Sequence, residues 1–131
     1  METSVSILKY IYKILNRNEL TDNITGAIYL LQKPKNSEKE DIVINAIYLK
    51  SGHYQDIQNG EANINIYSKN INGQPNTLRL QEISEIVIKL LKDNISSNHL
   101  FDYEIIDTHV LSELQQNSLS FLNIKLKIHK Y

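Results

Sequence analysis

The fold of this chain is decided by residues 62 to 92, whose sequence is ANINIYSKNINGQPNTLRLQEISEIVIKLLK. The first part, Ala62 to Lys69, alternates apolar and polar residues, a pattern typical of a strand with one buried face. A turn cluster follows, with Asn72, Gly73 and Pro75. After it, apolar residues recur at helical spacing: Leu80, Ile83, Ile86, Val87, Leu90 and Leu91. This stretch therefore predicts a strand, a tight turn and an amphipathic helix, as found in an α+β domain.

The flanking sequence predicts one more helix and four more strands. From Val5 to Leu15, apolar residues recur at spacings of three and four, which predicts a helix with a broad buried face. Segments rich in Ile, Val and Tyr predict the strands, at Ile24 to Leu31, Ile42 to Leu49, Tyr103 to Leu114 and Leu119 to Lys130. The last strand alternates cleanly, so one of its faces is expected to be buried and the other solvated.

The connections between these elements are polar. Asn16 to Asn23 is rich in residues that end helices. Gln32 to Asp41 contains a proline and several charges but no apolar anchor, so we expect a mobile hairpin loop between the first two strands. The predicted order is helix, three strands, helix, two strands. We predict one α+β domain over residues 1 to 131, with a mixed or antiparallel sheet and both helices packed on one of its faces.

Composition excludes several classes of function. The chain has no cysteine, which rules out disulfides, thiolate metal sites and cysteine nucleophiles. Its formal net charge is -1 with the two signs well mixed, which disfavours a protein whose main task is to neutralise nucleic-acid phosphates. Met1 to Tyr12 lacks the apolar core of a signal peptide, and no segment has the run of apolar residues that a membrane span requires. We therefore expect a cytosolic, soluble product without a membrane partner.

Asp107 and His109 are a candidate for acid–base chemistry. Two residues apart on a predicted strand, they project from the same face and can form a carboxylate–imidazole pair. No Ser or Cys motif accompanies them. The alternative is a solvated polar face on a long hairpin, and the sequence favours it, because a strand with one buried face always shows such residues on the other.

No pattern in the sequence predicts a metal or a cofactor. The four histidines lie on different predicted elements without zinc-ligand spacing: His53, His99, His109 and His129. The acidic run Glu38, Glu40 and Asp41 lacks the glycine and the alternating ligands of a calcium loop. Neither of the common phosphate-binding glycine motifs occurs. We therefore expect a protein without a cofactor and without catalytic residues.

Basic and aromatic residues offer two candidate binding surfaces. One basic strip lies on the last strand and another in the loop: Lys125, Lys127 and Lys130 with His129, and Lys33, Lys35 and Lys39. Such a strip either contacts DNA or is an ordinary solvated face, which is the commoner case. Four tyrosines lie in or beside the first three strands: Tyr29, Tyr48, Tyr54 and Tyr67. They suit a protein interface or core packing with a hydroxyl at the surface.

The core of the chain resembles the family of phage tail terminator, or tail completion, proteins. The resemblance lies in the strand Asn63 to Ser68, the turn at Asn70 to Pro75 and the helix that ends near Leu91. That family commonly has a Trp-Ser pair where this chain has Tyr67-Ser68, a departure that keeps an aromatic ring. The order of the remaining elements is also similar: an N-terminal helix, a hairpin with a long variable loop, and two closing strands.

The resemblance implies a structural virion protein without enzymatic activity. Such a protein forms a ring, expected to be a hexamer, that caps the tail tube, ends its polymerisation and joins the head. Its partners would be further copies of itself, the tail tube protein and a head–tail connector or neck protein, with DNA only as cargo through the ring. The protein would be assembled in the host cytoplasm and reside in the virion tail. In this interpretation the interface residues are Lys33, Lys35, Glu38, Lys39, Glu40, Asp41, His53, Tyr54 and Tyr67.

Three alternatives remain open from the sequence. Another neck or connector ring of the same virion would share the fold and bind a different neighbour. A double-stranded RNA-binding domain begins with the same order of elements, but the start of its second helix should carry a basic cluster, whereas here Arg79 is followed by Glu82 and Glu85. A small enzyme would depend on Asp107 and His109.

Overall fold

The computed structural model describes residues 4–51, 58–94, 102–113 and 118–130, which form three helices and five strands. In chain order these are α1 (Ser4–Leu15), α2 (Asn18–Thr21), β1 (Ile28–Leu30), β2 (Ile42–Ser51), β3 (Gln58–Lys69), α3 (Thr77–Asp93), β4 (Asp102–Ser112) and β5 (Leu119–Lys130). The α+β class and the order of the long elements are confirmed. Among the described helices, none has both the length and the apolar character needed to cross a membrane.

The five strands form one mixed sheet in the order β1-β2-β3-β5-β4. Strands β2, β3, β5 and β4 pair antiparallel, whereas β1 pairs parallel with β2. The predicted hairpin between the first two strands is therefore wrong. The segment between them returns to the start of β1, where the Ile42 amide donates to the Ala27 carbonyl at 2.9 Å. The chain thus enters β2 in the same direction as β1.

The first predicted strand is also shorter than its sequence indicates. Only Ile28–Leu30 pairs with β2, although apolar residues begin at Ile24. The segment expected only to end α1 contains the one-turn helix α2, whose Leu20 is fully buried. Leu20 and Ile24 both anchor this connection in the core, and the burial of Ile24 explains why the sequence resembled a longer strand.

Helices α1 and α3 pack on one face of the sheet and enclose the core, as predicted. The fully buried side chains come from both helices and from the central strands: Ile7, Ile11, Leu15, Leu80, Ile83, Leu91, Ile42, Ile44, Ile64 and Ile66. Helix α3 begins at an Asn76 cap, whose side chain accepts from the Arg79 amide at 3.3 Å. Each large apolar side chain buried in this way contributes about 1.5–3 kcal/mol relative to exposure.

Candidate assembly interface

The face of the sheet away from α1 and α3, the open face, is where the sequence expects polar and basic residues. Strand register places on it alternate residues of three strands: Val43, Asn45, Asn63, Asn65, Tyr67, Leu119, Phe121, Asn123, Lys125 and Lys127. It is apolar toward the start of β5 and polar toward the end of that strand. This division follows from the sequence of β5, which is Leu-Ser-Phe at its start and Lys-Leu-Lys further on.

The apolar end of the open face is covered by the segment from Leu31 to Asp41, the covering loop. Val43, Tyr67 and Leu119 are buried there. The Tyr67 and Phe121 rings lie 5.1 Å apart, centroid to centroid, at an interplanar angle of 32°. The Lys33 ammonium lies 5.4 Å from the Tyr67 ring centre, within cation–π range.

A cavity of about 350 Å³ remains between the covering loop and the sheet. Residues 31 to 36 of the loop line it, together with Val43, Asn45, Asn65, Tyr67 and Glu113. Burial and, secondarily, the Glu113 carboxylate raise the pKa of the Tyr67 phenol to about 12. The phenol hydrogen-bonds the Glu113 side chain at the edge of this cavity.

Asp41 holds the end of the covering loop from inside. Its side chain is fully buried. One carboxylate oxygen accepts from the Ala27 amide at 3.2 Å, and the other accepts from the Ser37 hydroxyl at 2.6 Å. Lys33 in turn donates to the Ser37 carbonyl at 3.0 Å. Removing Ser37 would therefore leave a buried carboxylate oxygen without this partner.

Glu40 ties the covering loop to α3 through Arg79. The Arg79 Nε and Nη2 atoms donate to the two Glu40 carboxylate oxygens at 2.5 and 2.9 Å. The Thr25 amide donates to Glu40 at 3.1 Å, and Arg79 also donates to the Asn23 carbonyl. The Arg79 hydrogen bond holds the Glu40 pKa below its usual value. A bidentate charged pair with only 14% of the Glu40 side chain exposed fixes this part of the loop.

The remaining predicted interface residues of the covering loop face solvent. Lys35 and Lys39 are exposed. Glu38 is half-exposed, pairs with the Lys69 ammonium at 3.2 Å and accepts from the Ser118 hydroxyl at 3.2 Å. The structure thus brings Lys33, Glu38 and Tyr67 to one end of the sheet. His53 and Tyr54 lie outside the described residues, and the interface role of the whole set stays a prediction.

Sequence reasoning missed an asparagine ladder in the middle of the open face. The Asn63 amide donates to Asn45 at 3.0 Å, and the Asn123 amide donates to Asn63 at 3.2 Å and Asn65 at 2.7 Å. Asn123 is only 7% exposed, and its side-chain oxygen Oδ1 is buried without a hydrogen-bond partner among the described residues. The signal in the sequence was the number of asparagines at alternate strand positions, because Asn is depleted in strands.

The predicted basic strip on β5 is interleaved with acidic residues. Lys125 lies opposite Asp107 of β4, and Lys127 lies between Glu104 of β4 and Glu61 of β3. The Lys130 side chain lies outside the described set. Alternating charges across adjacent strands stabilise the sheet and cancel the potential that phosphates would require. The register therefore favours the solvated-face interpretation over DNA contact.

Asp107 and His109 form the pair that their spacing predicts, but on an exposed edge. The His109 Nδ1 and Asp107 Oδ2 atoms are 3.4 Å apart, and roughly half of each side chain is exposed. Neither residue lines the cavity beneath the covering loop. The start of α3, which an RNA-binding domain would use to contact phosphates, has its basic residue already paired. Arg79 donates to Glu40 and, at 3.1 Å, to Glu82.

These features define the class of the chain: an α+β domain whose mixed sheet is covered by two helices on one face and by a tethered loop on part of the other. The same fold occurs in a chain of the virion of a native gene transfer agent (GTA) particle. The likeness has a TM-score of 0.59 at 8% sequence identity and covers 92% of this chain and 90% of that chain. No family model and no curated protein matches the sequence.

Proposed function

We propose that this chain is a structural protein of a phage-like virion that closes the tail tube as a ring, ends its polymerisation and forms the surface that joins the head. The observation that carries the proposal is the shared fold with a gene transfer agent virion chain over 92% of this chain. The resemblance of the strand ending in Tyr67-Ser68 and of the following helix to tail terminators supports this particular role.

A ring can end a polymer because its two faces differ. Copies joined by a heterologous contact form a closed ring when the rotation between neighbours divides a full turn evenly. We propose a ring of six copies. One face of the ring then binds the last tube subunits, while the other face binds a connector or neck protein. Copies of this chain, the tube protein and the neck protein are thus its partners, DNA passes through the centre, and the chain carries no catalytic task. Assembly takes place in the host cytoplasm, and the product resides in the virion tail.

The covering loop is the part of the described structure that we propose for contact with a neighbour. Its basic tip, Lys35 and Lys39, is exposed, while Glu40 and Asp41 hold its conformation from inside. A loop held in this way loses less conformational entropy on binding than a free one. We place His53 and Tyr54 in the same interface from the sequence.

Deletion of the gene from the genome that encodes this chain tests the proposal. A tail terminator is needed to stop the tube, so its loss should give tails of uncontrolled length that do not join heads. Electron micrographs of the lysate measure both properties, and a plasmid copy of the gene should restore them. Virions with finished tails of normal length in the deletion strain would contradict the proposal.

A second candidate is a neck or connector ring of the same virion, since the neighbour in the comparison belongs to a whole virion particle. The same deletion separates the two roles. Without a neck ring, tails should reach their normal length yet remain separate from full heads. Overlong tails therefore indicate the terminator, and normal tails without heads indicate the neck ring.

A further inference from the structure

We propose that copies of this chain join by pairing the free edge of β4 in one copy with the free half of β2 in the next, so that the sheet continues from subunit to subunit. The inference rests on the proposed function, because it supplies the contact that would close the ring.

The outer edge of β4 is long, and exposed apolar residues lie along it among acidic and polar ones. This strand is last in the sheet, and no strand of the described residues pairs with its outer side. Only its first part lies under α3, where Tyr103 is buried and donates to the Leu91 carbonyl. Beyond it, Ile106, Val110 and Leu111 are 44%, 40% and 42% exposed. The acidic residues and the register shift between Ile105 and Asp107 protect the first half of this edge, so the part after Asp107, which has no charge and no proline, is the template for another strand.

Hydrogen bonding shows which β4 backbone groups point outward. The Glu113 amide donates to the Leu119 carbonyl at 3.1 Å, so these opposite residues form a bonded pair. Hydrogen-bonded and non-bonded pairs alternate along an antiparallel ladder. The backbone groups of Leu111 and His109 therefore also point toward β5. The amides and carbonyls of Thr108, Val110 and Ser112 therefore point to the free edge.

At the opposite end of the sheet, no described strand pairs with the outer side of the second half of β2, which offers a second free edge. Strand β1 pairs only with Ile42, Val43 and Ile44, although β2 continues to Ser51. Ile42 and Ile44 direct their backbone groups toward the β1 side, where they bond Ala27 and Leu31 at 2.9 Å each. Ala46 is the next residue with this orientation, and β1 has ended before it.

The two edges match in face and in direction. Ala46 packs against the helix-side core, and Val110 lies on the same side, opposite Leu122, which also packs there. Pairing outward groups of the two strands therefore keeps the helices of all copies on one face. Strands β2, β3, β5 and β4 alternate in direction, so a neighbour rotated about an axis near the strand direction presents its β2 antiparallel to β4.

Charge favours β2 as the partner of β4 over a second β4. Strand β4 carries Asp102, Glu104 and Asp107 and has no Lys or Arg. The free half of β2, residues 45 to 51, has no acidic residue and contains Lys50. A second β4 would bring three acidic residues and no base to this edge, whereas β2 brings a lysine and no acidic residue. The sequence of both edges thus favours a head-to-tail contact, which forms rings, over a two-fold contact, which ends at a dimer.

Engineered cysteines test this contact directly, because the chain has no cysteine of its own. Opposite residues of an antiparallel pair have Cα atoms about 4.5–5.5 Å apart, within the range of a disulfide. We expect Ala46→Cys combined with either Val110→Cys or Ser112→Cys to give, on oxidation, a ladder of linked subunits in a denaturing gel. The corresponding single variants should stay unlinked alone and should form only dimers when the Ala46→Cys protein is mixed with its partner variant.

Val110→Pro provides a second, independent test. Proline removes an outward amide without touching the bonds to β5, a position where edge strands tolerate it. We expect the folded variant, checked by circular dichroism, to need at least about tenfold more protein for half-assembly than wild type, the effect of losing roughly 1.4 kcal/mol. Val110→Thr keeps the amide and is the matched control.

The outcomes separate the contact from the function. If wild-type protein forms rings, neither double-cysteine variant becomes cross-linked and Val110→Pro assembles like wild type, the edge pairing is wrong and the ring remains. Self-linking of the single Val110→Cys or Ser112→Cys protein would show a two-fold β4 contact instead. Wild-type protein that stays monomeric, both alone and with its tube, would remove the proposed function and this inference together.

Discussion

The Glu40–Arg79 pair gives the most quantitative prediction, because one contact joins the covering loop to α3. Replacing Glu40 with glutamine keeps the shape of the side chain but removes the charge that accepts two hydrogen bonds from Arg79 at 2.5 and 2.9 Å. The Arg79 side chain is 29% exposed and the Glu40 side chain 14%, so solvent screens the pair only in part. The substitution leaves a partly buried guanidinium without its main anion.

The magnitude follows from the type of bond. A hydrogen bond to a charged group contributes about 1.5–3 kcal/mol, and the amide of the introduced glutamine can still accept one neutral bond. We therefore expect Glu40→Gln to lower the free energy of unfolding by about 2 kcal/mol. For a domain of this size that change lowers Tm by roughly 6–12 °C.

A double-mutant cycle with Arg79→Gln isolates the pair from the other contacts of each residue. The variants are unfolded in urea at pH 7 and followed by circular dichroism, with Glu38→Gln as the control at the exposed Lys69 pair. We expect a coupling energy of about 1–2 kcal/mol for Glu40 and Arg79, since contacting charged residues are not additive. Additive effects within about 0.5 kcal/mol would refute the assignment of the pair as the anchor of the loop.

The same pair predicts a pH dependence. Arg79 holds the Glu40 pKa below its unfolded value, which is about 4.3 for a free Glu. Because the pKa of Glu40 is lower in the folded state than in the unfolded state, the ionised carboxylate stabilises the folded state. This contribution is complete above the pKa of the unfolded state and is lost as the pH falls through the pKa of the folded state. The difference in unfolding free energy between wild type and Glu40→Gln should therefore be largest near neutral pH and shrink below about pH 4. A difference that is independent of pH would contradict this cause.

Three further predictions concern the packing and the surface of the domain. Gly26→Ala should destabilise the protein by about 1–3 kcal/mol in thermal unfolding, because a Cβ there would overlap the Asp41 carboxylate; an unchanged Tm would contradict this close approach. Ile64→Ala, in the fully buried centre of the sheet, should cost about 2–5 kcal/mol in urea unfolding, and a cost below about 1 kcal/mol would show that the core is not packed around it. Lys35→Glu with Lys39→Glu should change stability by no more than about 0.5 kcal/mol yet weaken assembly measured by light scattering, and normal assembly would exclude the loop tip from the interface.

The sequence predicted the elements whose burial is periodic. Helix α3 and strands β3 and β5 follow directly from apolar spacing, because each presents one continuous face to the core. The strand predicted at Ile24 to Leu31 was too long, since Ile24 is buried as an anchor of a connection and not as part of a ladder. Local pattern cannot separate these two reasons for burial.

The parallel pairing of β1 and the fixed covering loop depend on contacts distant in sequence. Glu40 meets Arg79 across 39 positions, and Asp41 meets Ala27 across 14. Such pairs leave no periodic signal, so the charged loop was predicted to be a mobile hairpin. Asp107 and His109 lie on an exposed face, as the favoured solvated-face interpretation expects, and they meet because two residues at alternate strand positions need only local geometry to do so. The asparagine ladder required the strand register.

The central claim is that copies of this chain form a ring at the end of a tail tube. Purified wild-type chain, labelled with gold and added to tubes assembled from the tube protein of the same genome, tests it most directly. The account predicts closed rings of uniform diameter in negative-stain images, label at one end of each tube, and tubes that stop growing once labelled. Label along the whole tube, or tubes that continue to lengthen at the labelled end, would contradict it.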